Sequence, residues 1–342
     1  MSYKTKDLIS QSDLTLLSFS PLAYYNKKNL NPLEEVSKSY FDLGSLVDAL
    51  LSEPQEVIDK QFAIDSNINK PSDKLLDLCN QIVKEVYEYT NLLGISNPKL
   101  LEDPLIILDA REKTGYNKNL KEDTLINKVL EYKDYMLFKL ENYNKVIIDS
   151  NTYNKAHEIV NSLLTNDKIS KILDNCKQKQ LEIYWNYNEE DCKSKLDFVK
   201  VDEVNKEINI YDLKTTSDYV YSFPKSIIKF RYDLQGAFYV SALYEYYSNN
   251  PELLKDDLIK YTFNFYFIVE STSYPGTPLL YKLSEKDLSC GVSGGILKSN
   301  KIKLKGFVEL IDDLKWHKEN NLWEYPREVY ENNMEIETNI YE

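Results

Sequence analysis

Two stretches that alternate apolar with polar residues, joined by a polar turn, constrain the fold of this chain more than any other feature. Lys193-Ser-Lys-Leu-Asp-Phe-Val-Lys-Val-Asp202 leads through Glu203-Val-Asn-Lys-Glu207 into Ile208-Asn-Ile-Tyr-Asp-Leu-Lys-Thr-Thr216. Period-two alternation on both sides of a turn-like segment predicts a β-hairpin. Asp197 lies towards the start of the first strand and Asp212 towards the end of the second, so antiparallel pairing places both carboxylates at one end. One divalent ion could bridge them. Asp212 and Lys214 stand two apart and share a face, while the Leu213 side chain turns into the core. The Leu213 carbonyl is then a third possible oxygen ligand. Hard oxygen ligands with room for water suit Mg²⁺ or Mn²⁺.

The flanks supply the rest of an α/β fold. Gln180-Leu-Glu-Ile-Tyr-Trp-Asn186 alternates as a preceding strand, and Tyr261 to Glu270 and Leu279 to Leu283 are further β-rich runs. Behind the hairpin, Tyr232 to Leu243 is helical, with Gln235 and Tyr239 at i and i+4 on one face and Leu234, Phe238 and Ala242 in an adjacent apolar stripe. Ser12 reads as the N-cap of a short helix ending near Pro21. Leu43, Leu46, Val47, Leu50 and Leu51 fall at helical spacing, and Gly44 in that first turn implies close approach to the sheet. Residues 72–176 are mostly helical, as Asp73 to Leu92, Leu120 to Tyr143 and Tyr153 to Asp174, and Gly306 to Asn320 closes the fold. Met136 to Leu140 and His157 read as structural residues.

A chain of 342 residues with 42% hydrophobic side chains can bury a sizeable core. The start has no apolar leader, and no run approaches the roughly 20 apolar residues that cross a bilayer. A cytoplasmic protein without membrane contact is expected. Cys79, Cys176, Cys192 and Cys290 are scattered and only two histidines are present, which offers no zinc, disulfide or iron–sulphur pattern. A net charge of −13 argues against nucleic-acid binding, because phosphate neutralisation draws on Lys and Arg. It leaves open a narrow channel with a few cations and a metal, and implies weak, salt-sensitive binding when the metal is absent.

Asp197, the turn and Asp212-Leu-Lys214 together resemble the motif of the PD-(D/E)XK nuclease superfamily, with Leu196 where the motif places Pro. Other segments are similar to its RecE-like and RecB-like members. These are Ser10-Gln-Ser12 with Ser20-Pro21 and Tyr24-Tyr25, Leu43-Gly44 with Asp48 and Glu53-Pro54, Glu182 with Trp185, and Gln235 with Tyr239. Asp48 stands where RecE-type enzymes carry a His over the metal.

The resemblance implies a restriction-endonuclease-like core with a central mixed sheet flanked by helices and a large helical insertion. It implies a single nuclease domain over 1–342: core helices in 1–70, the insertion in 71–176, catalytic sheet and helices in 177–327, and an acidic tail in 328–342. Asp197, Asp212, the Leu213 carbonyl and Asp48 would hold one or two Mg²⁺ or Mn²⁺ ions, with Glu182 supporting the metal or the attacking water. Lys214 would orient or deprotonate that water, or stabilise the attacked phosphate. Gln235 and Tyr239 would position the DNA strand. The implied activity is a metal-dependent DNA exonuclease working at duplex ends in phage-type recombination or replication, in the host cytoplasm if phage-encoded. A single-strand annealing protein as partner and a homo-oligomeric ring are part of the same resemblance. An endonuclease or a repair or adaptation nuclease with the same site is one competing reading. A non-catalytic DNA-binding or scaffold protein is the other, for which Lys214→Ala would change nothing.

Overall fold

The computed structural model describes residues 8–29, 39–65, 68–297 and 301–335. The chain divides into two compact units, Met1–Glu53 with His157–Glu342, and Pro54–Ala156. The resemblance implies a helical insertion over 71–176 within one domain; the second unit covers Pro54–Ala156. In the helix Ser150–Thr165 the Ser162 hydroxyl donates to the buried carboxylate of Glu270. Of the acidic tail, 336–342 lies outside the described residues, as do residues 1–7 and 30–38.

The first unit is built on five strands, β1 (Gln178–Tyr187), β2 (Glu190–Asp202), β3 (Glu207–Thr216), β4 (Thr262–Ser271) and β5 (Leu279–Lys282), adjacent in that order. β3 and β4 are parallel and the other neighbours antiparallel, so the sheet is mixed, as the resemblance implies. The hairpin between β2 and β3 closes where the Asp202 carboxylate accepts the N–H groups of Val204 and Asn205 at 3.1 and 3.0 Å. β1 and β2 turn over Asn188 and Glu189, both left-handed with φ of 50° and 68°, the twist a tight hairpin requires.

A parallel pair needs a crossover. Helix α3 (Tyr232–Asn249) forms part of it, and its stripe of Leu234, Phe238 and Ala242 is fully buried in the core shared with the sheet. Helix α4 (Phe307–Asn320) closes the same core, Phe307 meeting the rings of Trp185 and Phe238 edge-on at 6.4 and 5.7 Å. At the N-terminus, α1 (Gln11–Phe19) is capped by Ser10, not Ser12, through a capping box with Asp13. Pro21 opens a second helix, Pro21–Asn29, instead of ending the chain's helical course. Helix α2 (Ser39–Ser52) carries Gly44, where a Cβ would lie 3.4 Å from Thr215 Oγ1 of β3. The expected approach of this helix to the sheet is therefore seen.

The second unit holds the helices Gln55–Gln61, Asp73–Leu93, Pro104–Thr114, Glu122–Leu130 and Lys133–Glu141, and a parallel pair of short strands, Phe62–Asp65 and Val146–Asp149. The helix predicted over 120–143 is two, parted at Glu131 and Tyr132. The one predicted over 153–174 is also two, because the Asn166 side chain turns back to cap the N–H groups of Lys168 and Ile169. No helix among the described residues is long and apolar enough to cross a membrane.

Candidate active site

The β2–β3 ladder runs from Asp202↔Glu207 to Phe198↔Tyr211 and stops one step before Asp197 and Asp212. At that step the Asp197 side chain replaces the missing backbone acceptor, taking the Leu213 N–H at 2.9 Å on Oδ2. The Leu213 C=O leaves its strand on the same edge as its N–H, towards the carboxylates. Asp212 is buried, with 3% of its surface exposed. Its Oδ1 accepts the Gln235 side-chain amide at 2.7 Å, and its Oδ2 forms an ion pair with the Lys214 ammonium. That Oδ2 has no hydrogen-bond donor in good geometry despite the pair. The Lys214 ammonium also sits 5.1 Å from the ring centre of Tyr232, a cation–π contact from α3.

Asp48 enters from α2, one turn beyond Gly44. Both its oxygens accept the amide of Gln180, at 3.0 and 2.8 Å. Gln180 is opposite Asp197, and the β1–β2 ladder is interrupted at this pair. It holds φ of 50°, a left-handed conformation that a side-chain-bearing residue adopts at a cost and that often marks a functional position.

Three carboxylates gather around the Lys214 ammonium, with Lys195 also acting on Asp48, and burial still raises all three. Burial pushes the Asp48 carboxyl up to about 6, with the Asp212 charge adding to it and Gln180 opposing. Burial also drives Asp197 well above the usual carboxylate range, reinforced by the charges of Asp48 and Asp212 and resisted by Lys214 and the Leu213 N–H. Asp212 is raised by burial against the pull of Lys214 and Gln235. Burial works against the Lys214 ammonium, yet Asp212 first, then Tyr232 and Asp197, hold its pKa above the ordinary lysine value.

Lys214 is therefore a cation at neutral pH. Among the described residues no group of three acidic, His or Cys side chains stands at metal-ligand spacing, and Gln180, Gln235 and Lys214 engage the carboxylate oxygens. The donor set nevertheless fits a hard divalent cation. It is all oxygen, carries surplus negative charge, and includes a buried carboxylate atom without a donor.

The structure thus brings together Asp48, Asp197, Asp212, the Leu213 backbone and Lys214. It places two expected residues differently. Glu182 is exposed on the outer strand, where it accepts the Tyr184 hydroxyl at 2.9 Å. Gln235, expected to face a nucleic-acid strand, is buried and clamps Asp212. Tyr239 lies one turn further along α3, half-buried against the core with its ring 6.3 Å from that of Phe265. Gln180 and Tyr232 were not singled out from the sequence. Tyr232 carried a signal, standing three residues before Gln235 on the same helix; Gln180 looked like any polar residue of an alternating strand.

The chain thus has an α/β fold with a mixed five-stranded sheet, and an acidic cluster with Lys214 at the point where β2 and β3 part. The fold is similar to the crystal structure of a protein from Eubacterium rectale described as a candidate exonuclease, with a TM-score of 0.50 and 11% identity over 100% of this chain and 96% of that one. At that identity the likeness shows the fold alone. No protein-family model matches the chain, and no curated protein matches it.

Proposed function

We propose that this protein is a metal-dependent DNA exonuclease of the PD-(D/E)XK, RecE-like type, hydrolysing phosphodiester bonds at duplex ends. The observation that carries the reading is the convergence of Asp197 and Asp212 where β2 and β3 diverge, with Lys214 paired to Asp212 and Asp48 within reach of their charge. The fold neighbour described as a candidate exonuclease supports it.

Asp197, Asp212, Asp48 and the Leu213 carbonyl are the residues that would hold Mg²⁺ or Mn²⁺. When bound, the metal supplies a water of lowered pKa and neutralises charge on the attacked phosphate. Lys214, paired with Asp212, stabilises negative charge on the phosphoryl oxygens or orients the attacking water. Gln235 fixes the Asp212 carboxylate, and the Tyr232 ring fixes the ammonium. Phosphates of the DNA enter beside Lys214, which is half-buried and reachable from solvent.

The test is digestion of end-labelled linear duplex beside a covalently closed circle with Mg²⁺ or Mn²⁺. Loss of the linear DNA alone, silenced by a chelator and by Asp212→Ala, is the expected result. Full activity in Asp212→Ala would place the chemistry elsewhere, and cutting of the circle would replace the exonuclease with an endonuclease.

A further inference from the structure

Three tyrosines outside the acidic cluster stand face to face on the protein surface. The ring of Tyr219 stacks on Tyr221, with centroids 5.4 Å apart and planes 10° from parallel, and on Tyr274, at 4.8 Å and 8°. All are exposed, at 51%, 69% and 56% for Tyr219, Tyr221 and Tyr274. Tyrosine rings usually bury their faces in a core, and a contiguous exposed apolar surface marks a place of contact.

The stack follows the ends of the two central parallel strands. Thr272 N–H donates to the Thr216 carbonyl at 2.7 Å, holding the ends of β3 and β4 together. Tyr219 follows Lys214 by five residues, so the chain allows at most about 18 Å between them, roughly the rise of five stacked nucleotides. The loops beneath the rings are pinned. Buried Glu270 accepts the N–H groups of Ser271 and Gly276 at 2.7 and 3.2 Å, and the Ser271 hydroxyl accepts the Tyr274 N–H at 3.1 Å. The Tyr219 carbonyl accepts the Ser222 N–H and hydroxyl at 2.9 and 2.8 Å. Exposed Lys225 and Lys229 follow on the short helix Pro224–Lys229, with the Lys229 ammonium 5.1 Å from the ring centre of exposed Phe230.

We propose that Tyr221, Tyr219 and Tyr274 form a stacking platform for the unpaired bases of a single DNA strand next to the acidic cluster. The proposal deepens the nuclease reading and takes its substrate from it. With 55 acidic against 42 basic side chains, a chain of net charge −13 gains little from long-range attraction of phosphates. Base stacking needs no charge and accepts any sequence, because every base has a π-face. Bases inside a duplex are already stacked, so the platform selects frayed or single-stranded DNA. Rings held by pinned loops lose little freedom on binding.

The test measures binding of the full chain, in chelator, to a fluorescent twenty-nucleotide oligothymidylate and to an abasic strand of equal length and phosphate charge. Wild type should bind the abasic strand at least about tenfold more weakly. The variant Y219A/Y221A/Y274A should lose at least about tenfold on oligothymidylate and nothing on the abasic strand. Its hydrolysis of bis(p-nitrophenyl) phosphate with Mn²⁺, a diester without bases, should match wild type. Equal wild-type affinity for both strands overturns the platform without any variant, as does absence of oligothymidylate binding or its retention in the triple variant. Base-dependent binding without hydrolysis of any diester would defeat the nuclease reading and leave the platform standing; hydrolysis without base dependence would do the reverse.

Discussion

Raising the pH of metal-free protein from 5 to 7.5 should destabilise it through Asp48, and Asp48→Asn should remove that loss. Burial, with the Asp212 charge behind it, moves the Asp48 carboxyl from 3.8 to about 6 on folding. Between those values the folded chain holds a proton that the unfolded chain has released, so stability falls as pH rises. The contribution is fully present below 3.8 and gone once pH passes well above 6. The whole window corresponds to about 3 kcal/mol, of which about 1.4 kcal/mol falls between pH 5 and 7.5. Because Asp48 is only half-buried, about 1 kcal/mol is the fair expectation.

The assay is urea unfolding of wild type and Asp48→Asn at both pH values in chelator. The double difference cancels titrating groups that do not feel the Asp48 charge, so what is left reports Asp48 together with Asp197, whose carboxyl that charge raises. Equal pH dependence in the two proteins would show that Asp48 is not held among buried negative charge, and the grouping of Asp48 with Asp197 and Asp212 would go with it. Saturating Mn²⁺ should flatten or invert the wild-type slope, since a metal demands deprotonated ligands.

Further outcomes follow from the same contacts. Gln235→Leu leaves Asp212 Oδ1 buried without its donor, so it should lose about 1–3 kcal/mol in urea melts and much of the Mn²⁺-dependent rate. Mn²⁺ at a hundredfold its dissociation constant should stabilise the protein by about 2.7 kcal/mol, and Asp212→Ala should abolish the shift in thermal midpoint. Phe238→Ala empties a fully buried position against Trp185, 4.8 Å away, and should cost about 3–5 kcal/mol. Gly291→Ala drives a methyl into the Asp233 carbonyl, a backbone atom that cannot turn aside, and should lower the thermal midpoint without altering Mn²⁺ affinity.

What the sequence made legible here is what depends on local period. The β2–β3 hairpin, the α3 stripe of Leu234, Phe238 and Ala242, and the shared end of Asp197 and Asp212 all follow from spacings of two or of three and four residues. The breaks at Glu131 and Asn166 were hidden because apolar spacing continues through them, and only a side chain turning back onto backbone N–H groups ends the helical course at Asn166. The role of Gln235 was hidden for another reason. An amide on a helix face looks the same whether it faces a ligand or a buried carboxylate, and only the distance to Asp212 decides.

The least legible feature is the one that shapes the cluster. Leu196 and Val199 enter the same core although they stand three apart, where strict alternation would send them to opposite faces. The alternation slips at the interrupted pair of Gln180 and Asp197, and the left-handed Gln180 is how β1 absorbs its share. The pairing register is the same on both sides, Lys179↔Phe198 and Leu181↔Leu196, so this is a change of face in both strands and not a shift of pairing. Here it lets Leu196 and Val199 both fill the core while Asp197, between them, leaves the ladder and takes the Leu213 N–H. A regular strand would have had to choose between a packed core and a freed carboxylate. The irregular backbone at Gln180 and the gathering of acids around Lys214 are therefore one structural event. Substituting Gln180 should disturb Asp48 and Asp197 together, which separate measurements of the two carboxyl pKa values by NMR would detect.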